Sequence, residues 1–164
     1  MIGKKVGEVV IKEATKSIKN LMLGYNYINT TEVVVGITEE TNAGREGGVT
    51  NSQLLYLHEN GVPSHNIPPR PVLRPAIGKE SEKISRLMKE GIKAAILQGR
   101  TEQANRSFQL AGMMGRDACK NYIVSGENLA PNAPETVRRK GSSKPLIDTG
   151  SMLDSITYAV RRKK

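Results

Sequence analysis

The chain has 164 residues, of which 37% are hydrophobic and 25% charged, with one cysteine, no tryptophan and one phenylalanine. That length suits a single domain, expected to run 1–164, with a lean core filled by aliphatic and methionine side chains that gains from burial against neighbours. Cys119 alone excludes an intrachain disulfide. No stretch reaches the ~18 apolar residues of a membrane span, and the N-terminus lacks the apolar run of a signal peptide, so a soluble protein made in the cytoplasm is expected. The net charge of +9 is uneven: residues 1–66 carry 6 Lys/Arg and 7 Asp/Glu, whereas residues 67–164 carry 19 and 9. Such an excess suits nucleic acid or an acidic protein, and without interleaved aromatics it does not choose between them.

In chain order, Val6, Val10, Ala14, Ile18, Leu21 and Met22 form a helical stripe that predicts a first helix over about 6–23, with Gly24 as its stop. Thr31–Thr38 is short and β-branched, and predicts a strand. The polar, glycine-rich stretch at 39–50 predicts a flexible loop or a hairpin tip. A short helix follows, capped by Asn51 or Ser52 and ended by Asn60-Gly61. The four prolines of Ile67–Pro75 predict an extended path. Ile84, Leu87, Met88, Ile92, Ala95 and Ile96 predict a helix over 78–98, and Phe108, Ala111, Gly115, Ala118, Cys119 and Tyr122 another over about 101–124. With Gly99 as the break, the two are expected to form an antiparallel pair, and Gly112, Gly115 and Ala118 would let another backbone approach.

Residues 126–144 read as a polar basic arm containing Arg138, Arg139, Lys140 and Lys144. Together with a basic tail at 161–164, the arm is expected to be ordered mainly by partners, since it has little to bury alone. Asp148 is expected to cap a turn, and Ser155–Val160 to form a final strand. The fold class expected is α+β: a small antiparallel sheet packed against an N-terminal helix and a central helical pair, with long loops and a C-terminal strand.

Three stretches carry a resemblance. Leu57-His58-Glu59-Asn60-Gly61, Ile67-Pro-Pro-Arg70-Pro-Val72-Leu-Arg74-Pro-Ala76, and Thr136–Lys144 with Pro145-Leu-Ile-Asp148-Thr149-Gly150 and Ser155-Ile-Thr-Tyr158 are similar, in order and spacing, to the motifs of the virion-morphogenesis proteins of tailed bacteriophages. Asn60 and Val72 stand where that family usually has phenylalanine, and the loop Glu39–Gly48 has no identified family counterpart. The resemblance implies a structural subunit of the virion neck or tail, assembled in the host cytoplasm. Its expected role is tail terminator or tail-completion protein joining tail to head, with head closure or another connector role as the alternative. Its implied partners are further copies of itself in a ring of about six, the tail tube protein and the head–tail connector, with packaged DNA nearby and no membrane. A basic nucleic-acid-binding module is the alternative from another class, supported by charge alone.

No catalytic set, cofactor or metal is expected. Leu146-Ile-Asp-Thr-Gly-Ser151 imitates an aspartic-protease loop, but such a site needs two carboxylates sharing a proton, and only fourteen residues follow Gly150. His58-Glu59 begins an H-E-x-x-H pattern that Val62 interrupts, and Cys119 on a helical stripe reads as a core residue. Interface or structural roles are instead expected of Arg70, Arg74, His58, Glu59, Gly61, Asp148, Thr149 and Gly150. The prolines flanking Arg70 and Arg74 would hold two guanidinium forks in fixed directions, with acidic or carbonyl partners if buried; the alternative is a surface loop with two solvated arginines.

Overall fold

The protein, seen in a computed structural model, has an α+β fold in which residues 2–44 and 48–163 are described, with side chains from residue 8 onward. Helix α1 (Ile2–Thr30) runs into strand β1 (Thr31–Gly36). Helices α2 (Asn51–Asn60), α3 (Leu73–Lys79), α4 (Ser81–Gln98), α5 (Thr101–Ser125), α6 (Pro134–Lys140) and α7 (Ser151–Ser155) follow, and strand β2 (Thr157–Arg162) comes last. The strands pair as a two-stranded antiparallel sheet. Two compact units emerge, each drawn from separate parts of the chain. The first comprises Met1–Val33, Lys83–Ala111 and Val160–Lys164; the second comprises Val34–Glu82 and Gly112–Ala159.

In the first unit α1 does not stop at Gly24, contrary to the sequence expectation. Glycine is there because α4 comes too close for a side chain: a Cβ at position 24 would fall on the Ala95 carbonyl. Beyond it, Tyr27 stacks on Phe108 at 5.9 Å between ring centroids and donates a hydrogen bond to Asn105 Oδ1 at 3.2 Å. The chain doubles back at Gly99, so that Gly91 of α4 meets Ala104 and Phe108 of α5. Ala94, Ala95, Ala104, Phe108 and Ala111 are the buried side chains here. Arg161 of β2 donates to Glu32 of β1 at 2.9 Å. The face of α1 that meets this core carries Asn20 and Gly24. The apolar stripe faces solvent instead, with Ile11, Ile18, Met22 and Tyr25 each 59–67% exposed.

The second unit has the denser core. Val72, Ala76, Cys119, Tyr122, Ile123, Leu129 and Ile156 are buried together, with Val35, Ile37, Leu146, Ile147 and Leu153 against them. Full burial of a side chain the size of Ile123 or Ile156 contributes roughly 1.5–3 kcal/mol. Gly115 admits the Val35 side chain rather than the backbone anticipated.

Several boundaries shift for local reasons. Helix α3 begins at Leu73 with Pro75 as its third residue, inside the expected extended segment; first-turn N–H groups have no intrahelical acceptor, so proline costs little there. The cap of α2 is Thr50, not Asn51 or Ser52: its side chain accepts from Gln53 N–H, and Gln53 Oε1 accepts from Thr50 N–H at 2.9 Å. Of the loop expected at 39–50, residues 45–47 lie outside the described residues, while 39–41 form a 3₁₀ turn and Gly44 bridges to Thr50. In the expected basic tail, Arg161 and Arg162 belong to β2, which starts two residues later than anticipated, and Lys164 is not described.

Candidate functional site

Of the residues singled out at 58–74, His58, Glu59, Gly61 and Arg70 meet in the second unit. Helix α2 carries His58 and Glu59 to its C-terminal end, where Gly61 turns the chain at φ 72°. A Cβ there would lie 2.8 Å from Pro69 N and 2.9 Å from Ile67 O, so only glycine lets the returning segment pass. Val62 and Ile67 exchange backbone hydrogen bonds of 2.8 and 3.1 Å, and Arg70 N–H then donates to His58 O at 2.6 Å. One oxygen of the Glu59 carboxylate accepts from Val72 N–H at 2.7 Å and Leu73 N–H at 2.6 Å. Glu59 thus supplies from a distance the cap that α3 lacks locally.

Arg70 is 7% exposed. Its Nε donates to Ala130 O at 2.7 Å and its Nη2 to Pro131 O at 2.9 Å. The partners are main-chain carbonyls, one of the two kinds of acceptor expected of a buried arginine here, so the guanidinium fork ties the 126–133 segment to the Ile67–Pro75 segment. Burial lowers the pKa of the guanidinium from its ordinary value. Arg74, by contrast, is exposed on α3, and the pair of forks anticipated is a single one. His58 Nδ1 is buried without a hydrogen-bond partner among the described residues. Burial, the Arg70 charge and the Lys140 charge, in that order, pull the imidazole down to about 4. The Cys119 thiol is pushed up to about 11, first by burial and then by Glu59, as fits a core residue.

The basic arm is tethered within the chain at several points. Asn132 Nδ2 donates to Ser143 O and Lys144 O at 3.3 and 3.1 Å, and Lys140 Nζ to Lys144 O at 3.2 Å. Arg138 and Arg139 on α6 face solvent. Asp148 does not cap the following helix; it is exposed, and α7 starts from Gly150 at φ 85°. Thr149 Oγ1 accepts from Ser151 N–H at 3.3 Å instead. Asn51, anticipated only as a cap, is fully buried, and its Nδ2 donates to Ser151 Oγ at 2.9 Å and Ser155 Oγ at 2.8 Å. Its signal in sequence was faint: a polar residue inside the first turn of a helix already capped by the preceding threonine.

Chemically, the 58–72 cluster holds main chain, with both Glu59 and Arg70 engaged by backbone groups. His65 lies apart from it, exposed and paired with Ser64, and no group of three or more potential metal ligands occurs among the described residues. No helix among them is long and apolar enough to cross a membrane. No family model, curated protein or solved structure matches the chain.

Proposed function

We propose that the chain is a non-enzymatic structural subunit of a tailed-bacteriophage neck or tail, one copy in a ring that serves as tail terminator or tail-completion protein between tail and head. One observation carries this reading. The first two of the three stretches that resemble virion-morphogenesis proteins are neighbours in sequence and the third begins 60 residues after Ala76, yet residues of all three converge in the fold. His58 and Glu59 hold the Arg70–Leu73 backbone, and Val72 and Ala76 share a core with Leu146, Ile147 and Ile156. Residues that recur together in a motif for a structural reason should meet in this way, whereas chance matches have no cause to. The exposed apolar stripe of α1 adds that the chain presents surface suited to burial by a neighbour.

Light scattering after size exclusion, with electron microscopy of the same fractions, tests the reading. Closed rings of fixed stoichiometry without tight DNA binding are expected, as is the accumulation of free heads and free tails in lysates of a phage lacking the subunit. A monomer that binds DNA with a steep salt dependence would favour the nucleic-acid-binding module instead.

A further inference from the structure

Two apolar surfaces are exposed among the described residues, and they differ in charge. The first is the outward face of α1, where Ile11, Ile18, Met22 and Tyr25 fall on one side of the helix. Lys12, Lys16 and Lys19 are exposed along one side of that stripe, and residues 8–30 carry 3 Lys against 2 Glu, a net of +1. It is a convex, basic ridge.

The second lies on α2. Tyr56 is 69% exposed, Leu57 37% and Val49 38%, and with Gly48, Ser52 and Gln53 they line an open pocket of about 600 Å³. Glu39 and Glu40 are exposed on a segment fastened to the start of α2 by Asn51 N–H to Ala43 O at 3.1 Å and Ser52 N–H to Asn42 Oδ1 at 3.0 Å. This surface is an open, shallow apolar patch with two exposed carboxylates on the segment fastened to α2.

We propose that these are the two halves of one head-to-tail contact, in which the α1 ridge of one copy of this chain seats in the α2 pocket of the next. The inference rests on the ring reading above and names the surfaces that would build the ring. Opposite charge favours the seating of ridge in pocket, while pairing α1 with α1 would set one basic row beside another. A contact between unlike surfaces is also the kind that repeats from subunit to subunit and closes into a ring when the rotation allows.

A charge swap in the full-length chain tests it. Lys12→Glu with Lys16→Glu and Lys19→Glu should weaken association roughly tenfold or more at physiological salt, and so should Glu39→Lys with Glu40→Lys. Mixing the two variants should restore rings, because each ridge then meets a pocket of opposite sign. Ile18→Ser with Met22→Ser, and Tyr56→Ser separately, should also reduce assembly; all of these sites are exposed, so the circular dichroism of the subunit should stay unchanged. If wild-type rings form and every variant still forms them at the same concentration, this contact is wrong and the ring reading stands. If α1 variants dissociate while Tyr56→Ser and the Glu39/Glu40 variants do not, something other than the α2 pocket covers α1 and the proposal fails. A wild-type chain that stays monomeric at every concentration overturns both.

Discussion

The two units spend their apolar residues differently. In the second, Val72, Cys119, Ile123 and Ile156 are sealed from solvent, and Arg70, Glu59 and Asn51 bind the surrounding segments by side-chain hydrogen bonds. In the first, small alanines and Phe108 make the core, while the broadest apolar stripe of α1 faces away from it. A hydrophobic pattern therefore reports a surface suited to burial without saying whose atoms bury it. In the second unit the chain itself supplies them; in the first, the described residues leave the α1 stripe exposed.

Substitutions can break this contrast. Arg70→Ala should have the largest effect, about 3–5 kcal/mol in urea denaturation, because two charge-assisted hydrogen bonds to part-buried carbonyls are lost at once. Arg70→Lys should recover only part of it, since an ammonium cannot span both acceptors as the fork does. A loss below about 1 kcal/mol for Arg70→Ala would mean that the cluster is ornamental and the second unit is held by its core alone.

His58 comes next and gives the second unit a pH signature. With its folded-state pKa at about 4, both states are neutral at this position above the ordinary histidine value of about 6.5. As pH falls from there toward 4, the unfolded chain takes up a proton that the folded chain refuses, so stability is lost across that window, by about 2–3 kcal/mol in total. His58→Gln should flatten this slope in denaturation curves taken between pH 7 and 4.5. The same slope with and without the imidazole would assign the pH dependence to other groups.

Helix α1 supplies a smaller pair of effects that sharpen the comparison. Gly24→Ala should destabilise by about 1–3 kcal/mol, because the new methyl meets the α4 backbone. Ile18→Ser, six residues earlier on the exposed stripe, should change thermal unfolding of the isolated subunit by less than about 0.5 kcal/mol. If Ile18→Ser proves the costlier, α1 buries its stripe within its own chain. Smallest of all should be Asp148→Asn, also within about 0.5 kcal/mol in the same unfolding measurement, since no cap depends on that carboxylate; a loss of 1 kcal/mol or more would restore its capping role.

What could be read in the sequence followed local period. The α5 stripe from Phe108 to Tyr122 was legible because residues three and four apart share a helix face, and all but the half-buried Ala118 of that stripe are in fact buried. The Gly61 turn and the stiffness around Arg70 were legible from glycine and proline chemistry. The Arg70 partners were not, since every residue has a carbonyl and nothing marks those of Ala130 and Pro131 sixty residues on. Asn51 was misread for a similar reason: its hydroxyl partners on α7 lie a hundred residues away. The α1 stripe announced a helix but not its orientation, because Gly24, the residue that fixes it, looks like a stop signal until α4 is known to lie against it.

The sheet has a consequence for the timing of folding. Strand β1 follows directly on α1, yet its only partner among the described residues is β2, and roughly 120 residues separate them. Closing a loop of that length costs about 4 kcal/mol of chain entropy by the logarithmic rule, repaid only when both strands are in place. Until residues 157–162 have left the ribosome, β1 is an open edge beside an apolar helix. A nascent chain in that state has its stickiest parts displayed before its last strand exists, and contact order alone makes this pairing one of the late events in its maturation.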